Sequence, residues 1–73
     1  MRELVEFMAR GLVDEPERVR VEDVGRGTLE LEVAPDDLGR VIGRRGKTAN
    51  SMRTVLAACP DGRGINLEIA ESE

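Results

Sequence analysis

Two glycines, Gly43 and Gly46, interrupt a stretch whose apolar spacing is otherwise helical, and they make the middle of the chain read as helix, tight loop, helix. On the near side, Ala34-Pro35-Asp36-Asp37 has the composition of a helix start, with Asp to cap free N–H groups. Leu38, Val41 and Ile42 follow at helical spacing, and Gly43 ends that helix after barely two turns. Beyond Gly46, Ala49, Met52, Val55, Leu56 and Cys59 fall on one side of a second helix, which Pro60-Asp61-Gly62 stops.

The flanking segments change period. From Arg2 to Val13, Leu4, Val5, Met8 and Leu12 form the stripe of an amphipathic helix, ended by Gly11 and Pro16; Phe7 lies within this pattern and is expected in the core. Residues 18 to 24, RVRVEDV, and 28 to 33, TLELEV, alternate as strands do, and Gly25-Arg26-Gly27 supplies a hairpin connection. Ile65, Leu67 and Ile69 alternate again in a last strand.

The order is therefore α-β-β-α-α-β, an α+β chain. A β-α-α-β segment within one sheet implies a right-handed crossover with its two strands parallel, while the hairpin adds an antiparallel pair. The expected architecture is a three-stranded mixed sheet with the helices packed on one face. With no repeat, low-complexity tract or linker, residues 1 to 73 read as a single domain.

Several chemistries are excluded early. One cysteine and no histidine cannot make an intramolecular disulfide, a Cys/His zinc cluster or a Ser-His or Cys-His couple, so Cys59 reads as core and neither metal nor other cofactor is expected. With no acid-base pair in a plausible cleft, an enzyme acting on a small-molecule substrate is not expected. A single aromatic residue cannot build a platform that stacks bases. No apolar run approaches the roughly 20 residues that span a bilayer, and the N-terminus lacks a secretory layout, so a cytoplasmic address without membrane contact is expected.

The loop has the residues of a phosphate holder, but not those of a nucleotide-binding loop. Gly46-Lys47-Thr48 is the right ending for G-x-x-x-x-G-K-[ST], yet the first glycine would stand at residue 41, which is Val41. The same residue breaks the Rossmann G-x-G-x-x-G. What remains is G-x-x-G between two helices, with Val41-Ile42 ahead and Lys47 behind. Glycines at both ends let a sugar-phosphate backbone approach the main chain, and the positive end of the following helix faces the anion.

"VIGRRGK", Val41 to Lys47, resembles the signature loop of the KH domain, and the element order resembles its type II, bacterial arrangement. The whole chain, including "GRVIGRRGKTANSMRTVLAA", is similar to the small single-domain KH RNA-binding proteins of bacteria, the KhpA-like family. That resemblance implies that Gly43, Arg44, Arg45 and Gly46 clamp the backbone of about four nucleotides of single-stranded RNA, with Lys47 adding charge. It implies that Val41 and Ile42 mark the approach to a base groove, although core positions suit both, and Arg40 and Arg53 are candidate outer phosphate contacts. It further implies a homodimer, or a heterodimer with a larger KH-containing protein, and a part in post-transcriptional regulation, RNA chaperoning, cell division or envelope growth.

Charge placement bears on the choice. The chain is acidic overall at -4, but Leu38 to Pro60 contains no Asp or Glu and carries +5 from Arg40, Arg44, Arg45, Lys47 and Arg53. The remainder holds six basic and fifteen acidic residues. A positive patch on a negative body attracts a nucleic-acid strand at one place and repels it elsewhere. The competing reading is a protein-interaction module in which RNA binding is weak or lost and the acidic body or an apolar helix face docks a partner.

Overall fold

The structure, a computed structural model, describes residues 1–71. Helix α1 (Arg2–Arg10) leads through a 3-10 turn at Pro16–Arg18 into strand β1 (Arg20–Gly25), which turns back as β2 (Thr28–Glu32). A 3-10 turn at Pro35–Asp37 opens α2 (Leu38–Ile42), and a further turn at Arg44–Gly46 joins it to α3 (Lys47–Ala58). A last turn at Pro60–Gly62 returns the chain to β3 (Asn66–Ile69). This is the α-β-β-α-α-β order expected from the sequence.

The sheet runs β1-β2-β3, antiparallel between the first two strands and parallel between the last two. Gly25 pairs with Thr28, which leaves Arg26 and Gly27 as a two-residue loop, both at positive φ. That backbone matches the twist of the strands it joins. The register slips between Asp23 and Gly25, and Val24 is left bulged and exposed.

Alternation along the strands sorts their side chains. Val21, Leu29, Leu31 and Leu67 point under the helices and meet Val5 and Ala9 of α1, Val41 of α2, and Met52 and Leu56 of α3. Burying Leu31 and Leu56 nearly completely contributes about 1.5–3 kcal/mol each to this core. On the opposite face Glu22, Glu30 and Glu68 align across the three strands and set a row of negative charge on the side of the sheet away from α2 and α3.

Phe7 departs from the expectation of a core residue: it is 76% exposed. Residues of α1 lie 100° apart around the axis, so Phe7 stands about 200° round from Val5, opposite the stripe that Val5 and Ala9 bury. Cys59 is only half-buried, at the end of α3. At the start of α1, the Glu3 carboxyl is held below the usual carboxylate range, first by its hydrogen bond to the backbone and then by the N-terminal ammonium 3.8 Å away.

Candidate nucleic-acid interface

Helix α2 ends where Gly43 donates its main-chain N–H to the Gly39 carbonyl at 2.9 Å. Gly43 then takes φ 75, ψ 172, a region that only glycine occupies readily. Its missing Cβ matters twice, because a Cβ there would run into the Thr48 side chain and come within 2.8 Å of the Thr48 nitrogen. Gly46 N–H closes a single turn on the Gly43 carbonyl at 3.1 Å.

Within that turn Arg45 stands at φ 57, ψ 26 and Gly46 at φ 76, ψ 12, so two consecutive residues are left-handed. The arginine pays about 1 kcal/mol for that conformation, a strain concentrated at the loop tip. Helix α3 begins at Lys47 with no side chain capping its first turn. The Gly46 and Lys47 N–H groups are taken by the carbonyls of Gly43 and Arg44, so what the helix presents beside the loop is chiefly the positive end of its twelve-residue dipole.

Arg44, Arg45 and Lys47 are all exposed, and among the described residues no carboxylate lies within ion-pair distance of them. The structure therefore brings Gly43, Arg44, Arg45, Gly46 and Lys47 together as one cationic turn. Four further candidates are placed differently. Val41 is fully buried and belongs to the core, while Ile42 is half-buried beside the loop.

Arg40 faces acids: its Nη2 lies 3.0 Å from Asp14 and its Nε 3.6 Å from Asp37. Arg53 faces the sheet, where its Nε and Nη2 both donate to the Leu67 carbonyl, at 3.0 and 2.9 Å, and its Nη1 donates to Asn50. Asn66 donates its N–H to the Gly27 carbonyl just before β2 and Ala70 donates to Leu31 within it, which turns the Leu67 carbonyl to the free edge of the sheet. Arg53 fills that otherwise unpaired acceptor and ties α3 to β3.

The aspartates at the helix start do not cap it as the sequence suggested; no aspartate side chain accepts a main-chain N–H of that helix start. Asp37 is instead 2% exposed and accepts the main-chain N–H groups of Asp14 and Glu15, each at 3.1 Å. Its carboxylate pins the segment after α1 against the start of α2. Sequence reasoning gave Asp37 a capping role and gave Asp14, Thr48 and Asn50 no role in the site, because each acts through a partner that no local pattern specifies.

Next to the start of α3, Met8, Leu12, Thr48, Ser51, Met52 and Val55 line a shallow apolar depression between α1 and α3. Leu12 and Val55 are partly exposed there, and Phe7 projects from the same half of α1. Among the described residues, no helix is long and apolar enough to cross a membrane and no acidic or thiol cluster has metal-binding geometry.

An α+β fold in type II order, with a glycine-bracketed cationic turn between its second and third helices, defines a KH domain. The family model described as KhpA/KhpB, KH domain, matches residues 2–69, and the chain belongs to that family. The RNA-binding protein KhpA of Mycobacterium tuberculosis (strain ATCC 25618 / H37Rv) is 47% identical over 73 residues, covering 94% of this chain and 89% of its own. RNA-binding protein KhpA of Streptomyces coelicolor is 43% identical over 97% of this chain and 92% of its own, and that of Clostridium perfringens 46% over 94% and 99%. It is a family of RNA-binding proteins, not of enzymes. No solved structure matches the chain significantly.

Proposed function

We propose that this protein binds single-stranded RNA, with the turn Gly43-Arg44-Arg45-Gly46 and Lys47 holding the sugar-phosphate backbone. The observation that carries this reading is the turn itself. Its backbone is bare of Cβ atoms at both ends, it leads into the positive end of α3, and its three cations are unpaired with carboxylates among the described residues. A strand lying there meets full positive charge on the helix side, while the aligned glutamates repel it from the open face of the sheet. The named relatives are RNA-binding proteins, which supports the same assignment.

One such turn reaches few phosphates, so useful affinity calls for two linked KH units. We read the apolar surface of Phe7, Leu12 and Val55 as the place where a second unit docks, either another copy or a larger KH-containing protein. In the cell such an assembly acts as a post-transcriptional regulator or RNA chaperone in the cytoplasm. The same surface supports the second reading, an interaction module for cell-division or envelope proteins that needs little RNA binding.

The test is titration of a short labelled single-stranded RNA across a salt series, with wild type beside the Arg44→Asp/Arg45→Asp double variant. Wild-type affinity falls with salt at a log-log slope of about -0.7 per neutralised phosphate, and the variant binds far more weakly. Equal binding by the two proteins removes the loop assignment.

A further inference from the structure

Of the five cations between Leu38 and Pro60, Arg40 alone among the described residues forms ion pairs with carboxylates. It sits three residues before Gly43, about 4.5 Å of helix rise from the loop, a distance that its long side chain can span once it leaves the carboxylates. Yet its guanidinium is engaged on two sides, by Asp37 from beneath and by Asp14 at 3.0 Å from the solvent side.

The Asp14 contact is built rather than incidental. The buried Asp37 carboxylate accepts the main-chain N–H of Asp14, which fixes where the Asp14 side chain starts. The same carboxylate lies 3.6 Å from Arg40 Nε, an ion-pair contact that draws the guanidinium to this place. One buried acid thus bonds the main chain of one member and lies in ion-pair contact with the other, in an outer pair whose side chains are 54% and 72% exposed. An ion pair this open to water is weak, and a phosphate can take the place of its carboxylate. The guanidinium suits either acid, because its fork of donors fits carboxylate and phosphate alike.

We propose that Asp14 is an affinity-setting residue of the RNA site: it occupies Arg40 and withholds that cation from the phosphate backbone. The inference rests on the RNA-binding reading above. It makes Arg40 a reserve contact, used only by a ligand that displaces the aspartate, and it keeps the resting footprint to the cations of the turn.

A double-variant cycle tests it, using a short fluorescein-labelled single-stranded RNA and full-length wild type, Asp14→Asn, Arg40→Gln and the combined variant. The Asp14→Asn change leaves the bond to Asp37 in place, because that bond uses the main-chain N–H; an unchanged melting temperature checks this. Asp14→Asn tightens RNA binding several-fold at low salt and steepens the log-log salt slope by about 0.7, one more phosphate. In the Arg40→Gln background the same change has no effect. Equal tightening in both backgrounds means a general loss of negative charge, and unchanged or weaker binding means that Asp14 does not compete; either result overturns the proposal. The Arg44→Asp/Arg45→Asp variant run alongside separates the two levels. If it loses RNA and the cycle is flat, only this inference fails, whereas if it binds like wild type the site itself is misassigned.

Discussion

Arg53 reaches from the third helix to the edge of the sheet and gives two N–H donors to the carbonyl of Leu67, at 3.0 and 2.9 Å. A guanidinium spent this way is a tether before it is a phosphate contact. Lysine keeps the charge but cannot present two fixed donors. Arg53→Lys therefore lowers stability by about 1 kcal/mol, or roughly 4–8 °C in melting temperature for a domain of this size, while the salt slope of RNA binding stays where it was. A slope reduced by about 0.7 with an unchanged melt would instead make Arg53 a phosphate ligand.

Asp37 joins two segments that the sequence keeps more than twenty residues apart, accepting N–H groups from Asp14 and Glu15. In Asp37→Asn one oxygen becomes an NH2 group, so a donor faces a main-chain donor in a buried site. The expected loss is about 2 kcal/mol, read as a lower urea midpoint with the same slope. A variant as stable as wild type removes the tethering role.

The order of elements was legible because each carries its own period: the helical stripe of α1, the alternating strands and the two helices cut by Gly43 and Gly46. The parallel pairing of β2 with β3 followed from chain-connection rules. The loop was legible as a glycine-bracketed cationic segment, but its left-handed Arg45 was not, since no rule of spacing puts arginine at positive φ. Arg40 and Arg53 looked alike in sequence, two basic residues on helices near the loop. Their partners, Asp14, Asp37 and Leu67, come from other segments, so only the fold distinguishes an ion-paired cation from a tether. Phe7 was misplaced for a simpler reason: one apolar residue off the stripe was counted with it.

The two glycines of the loop are unequal. A Cβ at Gly46 would meet only the Asn50 side chain, 4.0 Å away, whereas at Gly43 it collides with Thr48 in a backbone region reserved for glycine. Gly46→Ala costs about 1 kcal/mol through its left-handed backbone alone, and Gly43→Ala costs more and disturbs the start of α3. Thermal melts rank the two, and the reverse order contradicts this geometry.

Arg45 sets stability against binding. Glycine at its φ of 57 relieves the left-handed strain but removes an exposed cation. Arg45→Gly raises stability by about 0.5 kcal/mol and weakens RNA binding, with a salt slope shallower by up to about 0.7. Melting temperature and dissociation constant thus rise together, which ordinary damage to the fold does not produce. A variant that melts lower and binds more weakly shows that residue 45 acts through folding alone.

Phe7 offers the sharpest test of association, because it contributes little to its own domain's core while standing 76% exposed on α1. A large aromatic left in water favours burial against a partner; Leu12 shares a hollow with Phe7, and Val55 lines the next depression with Leu12. Phe7→Ser changes the melting temperature little when the protein is dilute enough to be monomeric, where surface substitutions stay within about 0.5 kcal/mol. At higher concentration the wild type sediments as a dimer and the variant as a monomer, and the variant's RNA affinity drops because two linked sites become one. If wild type and variant sediment alike as monomers, the Phe7 surface does not join two copies; if both remain dimers, the contact lies elsewhere on the domain.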